Sequence, residues 1–200
     1  MTDVVVLPAT PERWPDVAAV FAGDGPKGCW CHVWRTLSPI PPARGDGSGE
    51  LNLRTQVETD PTPPGLLAYD DGVPAGWIRL GPRDGIGRLV RSRTIPRVDD
   101  VPVWSIVCFK VLPGHRRKGV ARSLLAGAVE FARASGAPAL EAYPIDAEGR
   151  RLDVSFSFVG FTSMFEAAAF RRVVATDAHS AGRPRILMRL DLTTAVVATG

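Results

Sequence analysis

The segment Val111–Leu125, VLPGHRRKGVARSLL, places five basic side chains around two glycines and a proline. It follows a nearly continuous apolar run, VPVWSIVCFKVL (101–112), which reads as a central buried strand. After it, Val120, Ala121, Leu124, Leu125, Ala128 and Phe131 recur at helical spacing, predicting a helix from Lys118 to about Ser135, with Gly136 and Pro138 as its stop. A strand–turn–helix with small residues at the turn points several backbone N–H groups at one place. The positive end of the helix dipole adds to that field, so the turn suits a phosphate. Gly119 leaves the backbone open to close approach, and Arg116, Arg117, Lys118 and Arg122 supply neutralising charge.

A nucleic-acid footprint would need a basic face extended over several elements, with aromatic residues interleaved. Glu130 and Asp146 interrupt this one, although RLVRSR (88–93) forms a second basic cluster. A solvated basic helix start is the plainest alternative for the segment.

The 200 residues are 45% apolar, which suits one domain with a real core. A net charge of +3 favours acidic ligands without requiring nucleic acid. No apolar run reaches the roughly 18 residues of a membrane span, and the amino-terminal stretch lacks a signal peptide's basic region, so a soluble cytoplasmic protein is expected. Three cysteines make a disulfide framework improbable and reduced thiols the default.

Outward from the central segment, VVVL (4–7) reads as a strand. Thr10 caps a helix whose face carries Trp14, Val17, Ala18 and Phe21. A second helix is expected near Leu51–Thr59, stopped by DPTPPG. GLLAYDDGVPAGWIRLGP (65–82) is a hairpin turning at Asp71-Gly72, and the polar arm 83–100 reads as irregular. ALEAYPI (139–145) is a strand, SMFEAAAF (163–170) part of a helix, and RRVVAT (171–176) and RILMRLDL (185–192) pair as closing strands. The order gives a mixed α/β class around one sheet.

These residues resemble the GNAT acyl-CoA N-acyltransferases, whose fingerprint is a strand ending in Val-x-Pro, then Arg/Gln-x-x-Gly-x-Gly/Ala opening a long helix. Here Val111-Leu112-Pro113 precedes Arg116-Arg117-Lys118-Gly119-Val120-Ala121. The DDGVPAGWIRL hairpin and MFEAAAF extend the likeness over residues 1–192, a single domain, with 193–200 a loose tail. The resemblance implies a mixed, mostly antiparallel sheet with splayed central strands flanked by helices. It implies acetyl-CoA with its pyrophosphate on the N–H groups of Arg116 to Ala121, and pantetheine along the backbone of Phe109, Lys110 and Val111. The implied activity is acetyl transfer to a primary amine of a small molecule, in a monomer or homodimer. A non-catalytic acyl-CoA-binding protein and a nucleic-acid-binding module are the alternatives, and neither nucleic acid nor membrane is an expected partner.

The sequence departs from the pattern at three positions. Phe165 stands where many members have a proton-donating tyrosine, Ala169 where the helix end has glycine, and Ser105 where some have a glutamate. Candidate proton-handling groups are therefore Ser105 and the carboxylates Glu141 and Asp146, with Glu166 behind. Glu141 lies between apolar residues, where desolvation raises a carboxyl pKa, and pairing with an arginine is an equal alternative. In GCWCHVWR (28–35), Trp30, Cys31 and Trp34 are candidates for an acceptor wall or for ordinary core anchors. Cys29, Cys31 and His32 lack the spacing of a structural zinc site, and neither Cys108 nor His115 offers an obvious fourth ligand, so no metal is expected.

Overall fold

A computed structural model describes residues 4–23, 29–31, 34, 48–147, 158–180 and 182–193. Its strands are β1 (Val4–Pro8), β2 (Gly65–Asp70), β3 (Val73–Pro82), β4 (Trp104–Val111), β5 (Ala139–Ala142), β6 (Arg171–Ser180) and β7 (Arg183–Asp191). They form one sheet in the order β1-β2-β3-β4-β5-β7-β6. Every pairing is antiparallel except β4 with β5. The helices are α1 (Trp14–Ala22), α2 (Ser48–Thr59), α3 (Gly87–Val90), α4 (Val120–Ala134) and α5 (Thr162–Glu166).

Asp71 and Gly72 both have positive φ (51° and 79°), the two-residue turn that matches the twist of β2 and β3. Thr10 does not cap α1 with its side chain. The chain enters through a 3₁₀ turn, Pro11–Arg13, and the Thr10 hydroxyl instead accepts a hydrogen bond from Arg13 Nη1 at 3.0 Å. The arm 83–100 is less irregular than its polarity suggests. Arg83, Ile86, Leu89 and Ile95 are buried, and Arg83 Nη2 donates to the Ile95 carbonyl at 3.1 Å. Four inward residues fix this arm to the sheet.

α4 buries Val120, Leu124, Leu125, Ala128 and Ala132 against β1–β4. Its end is closed by bonds from Gly136 N to Arg133 O and from Ala137 N to Ala132 O. α5 closes in the same way, with Phe170 N bonded to Phe165 O. There Ala169 takes φ 65°, the left-handed conformation that glycine occupies without penalty. Ala169→Gly is expected to raise stability by about 0.5–1 kcal/mol, the relieved Cβ clash outweighing the added unfolded-state entropy. Urea denaturation checks this through a higher midpoint at unchanged slope.

β4 carries one residue more than β3 where Arg79 faces Cys108 and Leu80 faces Ile106, so Val107 is a bulge. A bulge bends its strand. Pairing of β4 with β5 covers only Trp104–Leu140, Ser105–Glu141 and Ile106–Ala142, and ends beside that bulge. Beyond it β4 continues to Val111, whereas the other branch turns toward β7, where Ile145 meets Arg185 and Phe161. The two central strands therefore part as a fork. The carboxy-terminal tail from residue 194 lies outside the described residues.

Candidate active site

The open edge of β4 forms one side of the fork. Leu112 N–H bonds to Ala75 O at 2.9 Å, on the β3 side. By strand alternation, Lys110 shares that edge, and Phe109 and Val111 direct their N–H and C=O groups into the fork. In agreement, Val111 O accepts from Arg116 Nε at 3.2 Å rather than from β3. Phe109 is buried, edge-on to Phe165 at 5.9 Å between centroids. Phe165 is itself buried against Phe170 at 5.2 Å.

The basic segment follows as a 3₁₀ turn, Pro113–His115, and four turn residues before α4. Arg117 has φ 62° and Gly119 has φ 89°. These two left-handed residues delay the helix from the expected Lys118 to Val120. The N–H groups of Arg117 to Ala121 have no acceptor among the described residues, because the first backbone bonds into the helix come from Arg122 and Ser123 to Gly119 O. A Cβ built at Gly119 meets nothing within 4 Å, so the space in front of these amides is open. Orphan amides, open space and the positive helix end together fit a pyrophosphate. Arg116, Arg117, Lys118 and Arg122 are exposed, Val120 is buried and Ala121 half-buried.

Asp70, at the end of β2, anchors the turn, a role that no local sequence signal marks. Its buried carboxylate accepts from His115 Nδ1 at 2.6 Å and from Lys118 Nζ at 3.2 Å. The His115 hydrogen bond, with Lys118 beside it, holds the Asp70 carboxyl below the ordinary carboxylate range. A depressed folded-state pKa stabilises above the unfolded value, about 3.9, and that contribution is lost as pH falls through the folded value. Asp70→Asn is therefore expected to weaken acetyl-CoA binding about tenfold by loosening the turn. The stability difference between wild type and Asp70→Asn, read by denaturant titration, should begin to shrink as pH falls below about 4 and vanish only below the depressed folded value.

At the fork's base, Ser105 Oγ lies 2.9 Å from Tyr143 OH, which donates to Glu141 Oε2 at 3.0 Å. Burial and the neighbouring Glu141 charge push the Tyr143 hydroxyl well above its usual pKa. Glu141 Oε1 accepts from Arg189 Nη2 at 2.6 Å and Nε at 3.1 Å, while Arg83 Nε stands 3.8 Å from Oε2. Arg189 also donates to Asp99 Oδ1 at 3.0 Å. Ser105 and Glu141 are thus brought together, through a tyrosine that the sequence reading did not single out. Asp146 and Glu166 lie elsewhere, paired with Arg172.

The tryptophan–cysteine island divides between two cores. Trp30 stacks on Phe21 at 5.0 Å, and Cys31 is buried in the same cluster, with Cys108 packed against it. The neighbouring Cys108 thiol, aided by the Arg79 charge, lowers the Cys31 pKa, while the Cys31 contact and burial push the Cys108 thiol up. Trp34 joins Val107, Tyr143 and Leu187 in another cluster and holds the Arg185 guanidinium 5.6 Å from its ring centroid. His32 lies outside the described residues, among which no group of three His, Cys, Asp or Glu side chains is placed to hold a metal.

A family model described as the acetyltransferase (GNAT) family matches residues 30–150, more than half of the chain. The chain belongs to this family. Solved structures give the same fold. One is described as histone acetyltransferase HPA2 and related acetyltransferase from Corynebacterium glutamicum, 20% identical, covering 98% of this chain and 100% of that one with a TM-score of 0.58. Another is yncA, a putative acetyltransferase from Salmonella typhimurium with its cofactor acetyl-CoA, 15% identical over 96% of each chain, TM-score 0.53. A third is a putative GNAT acetyltransferase from Desulfovibrio desulfuricans, 20% identical over 96% of this chain and 100% of that one, TM-score 0.52. No curated protein matches the sequence. The family is one of transferases. No described helix is long and apolar enough to cross a membrane.

A cavity of about 290 Å³ opens on the Trp34 side of the sheet, between the arm and the β6–β7 hairpin. Its lining includes Trp34, Arg88, Ser92, Thr94, His179 and Arg185. Arg185 Nε donates to the Tyr143 carbonyl at 2.8 Å, tying this cavity to the residue at which the fork begins.

Proposed function

We propose that the chain is an acetyl-CoA-dependent N-acetyltransferase whose acceptor is the primary amine of a small molecule, and that residues 1–192 form one catalytic domain. The observation that carries this reading is the meeting at the fork of two sets of backbone N–H groups without backbone acceptors: those of Phe109 and Val111, which face away from β3, and those of Arg117–Ala121 before and into α4. The first suits pantetheine as an added strand, and the second suits a pyrophosphate. Arg116, Arg117, Lys118 and Arg122 complement the phosphate charge.

Bound acetyl-CoA supplies an activated acyl group as its thioester. The residues of this chain hold the amine and the thioester within attacking distance, which is the largest part of such catalysis. The free amine attacks the carbonyl carbon, a C–N bond forms, the C–S bond breaks and the sulfur leaves as thiolate. An N–H of the open β4 edge, at Phe109, stabilises negative charge developing on the carbonyl oxygen. The amine's proton passes to Ser105, whose proton moves to Tyr143, and the Tyr143 proton moves to Glu141. Glu141 is already engaged by Arg189, and general-base catalysis of this kind contributes on the order of 10²-fold or less. Phe165 has no proton to give. The thiolate takes one from water, since a thiol of pKa about 8.5 leaves readily.

A panel of primary amines with acetyl-CoA, followed by release of free thiol, tests this reading. Amine-dependent thiol release supports it. Tight acetyl-CoA binding with no release for any amine would make the chain an acyl-CoA-binding protein.

A further inference from the structure

Arg185 is 7% exposed, and its Nη2 has no hydrogen-bond acceptor among the described residues. Its Nε is used by the Tyr143 carbonyl and one face is covered by Trp34. A buried guanidinium group with a bare N–H is costly unless an acceptor arrives. Arg88 lines the same cavity with a second guanidinium, and its charge adds to burial in lowering the Arg185 pKa to about 10. Like charges facing one space are relieved by an anion between them. Against these two cations the lining holds one carboxylate, Asp177, and no ion pair joins it to Arg88 or Arg185 among the described residues. The His179 ring is occupied by the carbonyl of Asp177, with Nδ1 at 3.0 Å, and Ser92 Oγ accepts from Ile95 N at 3.0 Å. Leu89, Ile95 and Ala178 add apolar wall. At about 290 Å³ the space is at the lower end of ligand pockets, so it suits a compact molecule.

We propose that this cavity selects the acceptor by a carboxylate, held by Arg185 Nη2 and Arg88, so that the amines acetylated are small amino carboxylates with an apolar body. The proposal rests on the transferase reading above and names the substrate class for it. An oxyanion at Arg185 places the remainder of a compact acceptor against Tyr143 and the base of the fork. The apolar walls and Trp34 cover its body, and the amine extends toward the strand edge at Val107.

Isothermal titration with phenylacetate and with its neutral isostere phenylacetamide, neither of which carries an amine, tests the cavity without turnover. The carboxylate should bind at least about tenfold more tightly than the amide. Arg88→Gln, at an exposed position where the fold tolerates change, should erase most of that preference while leaving phenylacetamide unaffected. Arg185→Gln should erase it entirely if the variant folds, and Arg88→Gln decides the matter if it does not. Equal binding of the two probes, or no effect of Arg88→Gln, would overturn the proposal. With acetyl-CoA present, phenylalanine should show a lower KM than phenethylamine. Preferential acetylation of phenethylamine would overturn the proposal and leave the transferase reading intact. Carboxylate-selective binding with no amine acetylated would overturn the transferase reading and leave the cavity's ligand class standing.

Discussion

Replacing Gly119 by glutamate is expected to abolish the rise in melting temperature that acetyl-CoA produces. At a hundredfold excess over Kd the ligand should stabilise wild-type protein by about 2.7 kcal/mol, a shift of roughly 5–11 °C for a chain of this length. Gly119 has φ 89°, so any side chain costs about 1–2 kcal/mol in the bare protein. Glutamate also places a carboxylate in the open space before the amides of Arg117 to Ala121. Two like charges a few ångströms apart are repelled strongly there, and binding should fall by at least about 10²-fold. Gly119→Ala separates the causes. A Cβ meets nothing within 4 Å, so alanine carries the backbone strain alone and should retain most of the ligand shift. An unchanged shift in the glutamate variant would place the phosphates elsewhere.

The second large effect concerns the core. Arg189 is 5% exposed and Glu141 2%, joined by contacts of 2.6 and 3.1 Å. Arg189→Leu leaves the Glu141 carboxylate buried without its main cation, with Arg83 no nearer than 3.8 Å. Breaking such a pair from one side costs about 3–5 kcal/mol, or roughly 6–20 °C in Tm. Glu141→Gln alone should cost less, because Arg189 keeps Asp99. Added to Arg189→Leu, it should recover part of the loss, since the stranded charge is gone. A double-mutant cycle that is simply additive would contradict the coupling. In activity, Glu141→Gln should lower kcat/KM by about 10²-fold or less both below and above the acceptor's pKa, because even a free amine sheds a proton on becoming an amide.

How much of this the sequence revealed depends on the range of each interaction. The apolar run 101–112, the Asp71-Gly72 turn and the spacing in α4 are local patterns, and each formed as its period or turn chemistry dictates. The turn that opens α4 was legible because its glycine and the helix start lie within a few residues. The Val107 bulge was not, because it exists only as a mismatch in count between two strands. Glu141 with Arg189 and Asp70 with His115 join positions 48 and 45 residues apart, which no local window pairs. The arm's polarity concealed four buried residues, since its inward side chains follow neither a helical nor a strand period. Trp30 and Trp34 look alike in GCWCHVWR yet serve different cores, and the backbone is left-handed at Trp30 and Cys31, φ 44° and 57°, which no local pattern announces.

The central claim is transfer of an acetyl group to an amine at the fork between β4 and β5. It is tested most directly with acetyl-CoA labelled with ¹³C at the thioester carbonyl, followed by NMR in one tube with the amine panel. The account predicts that the thioester resonance is replaced by an acetamide resonance, only when both protein and amine are present, with one free thiol per amide formed. Gly119→Glu protein should leave the thioester intact. A thioester signal that persists beside wild-type protein and every amine, or that yields labelled acetate instead of amide, would contradict it.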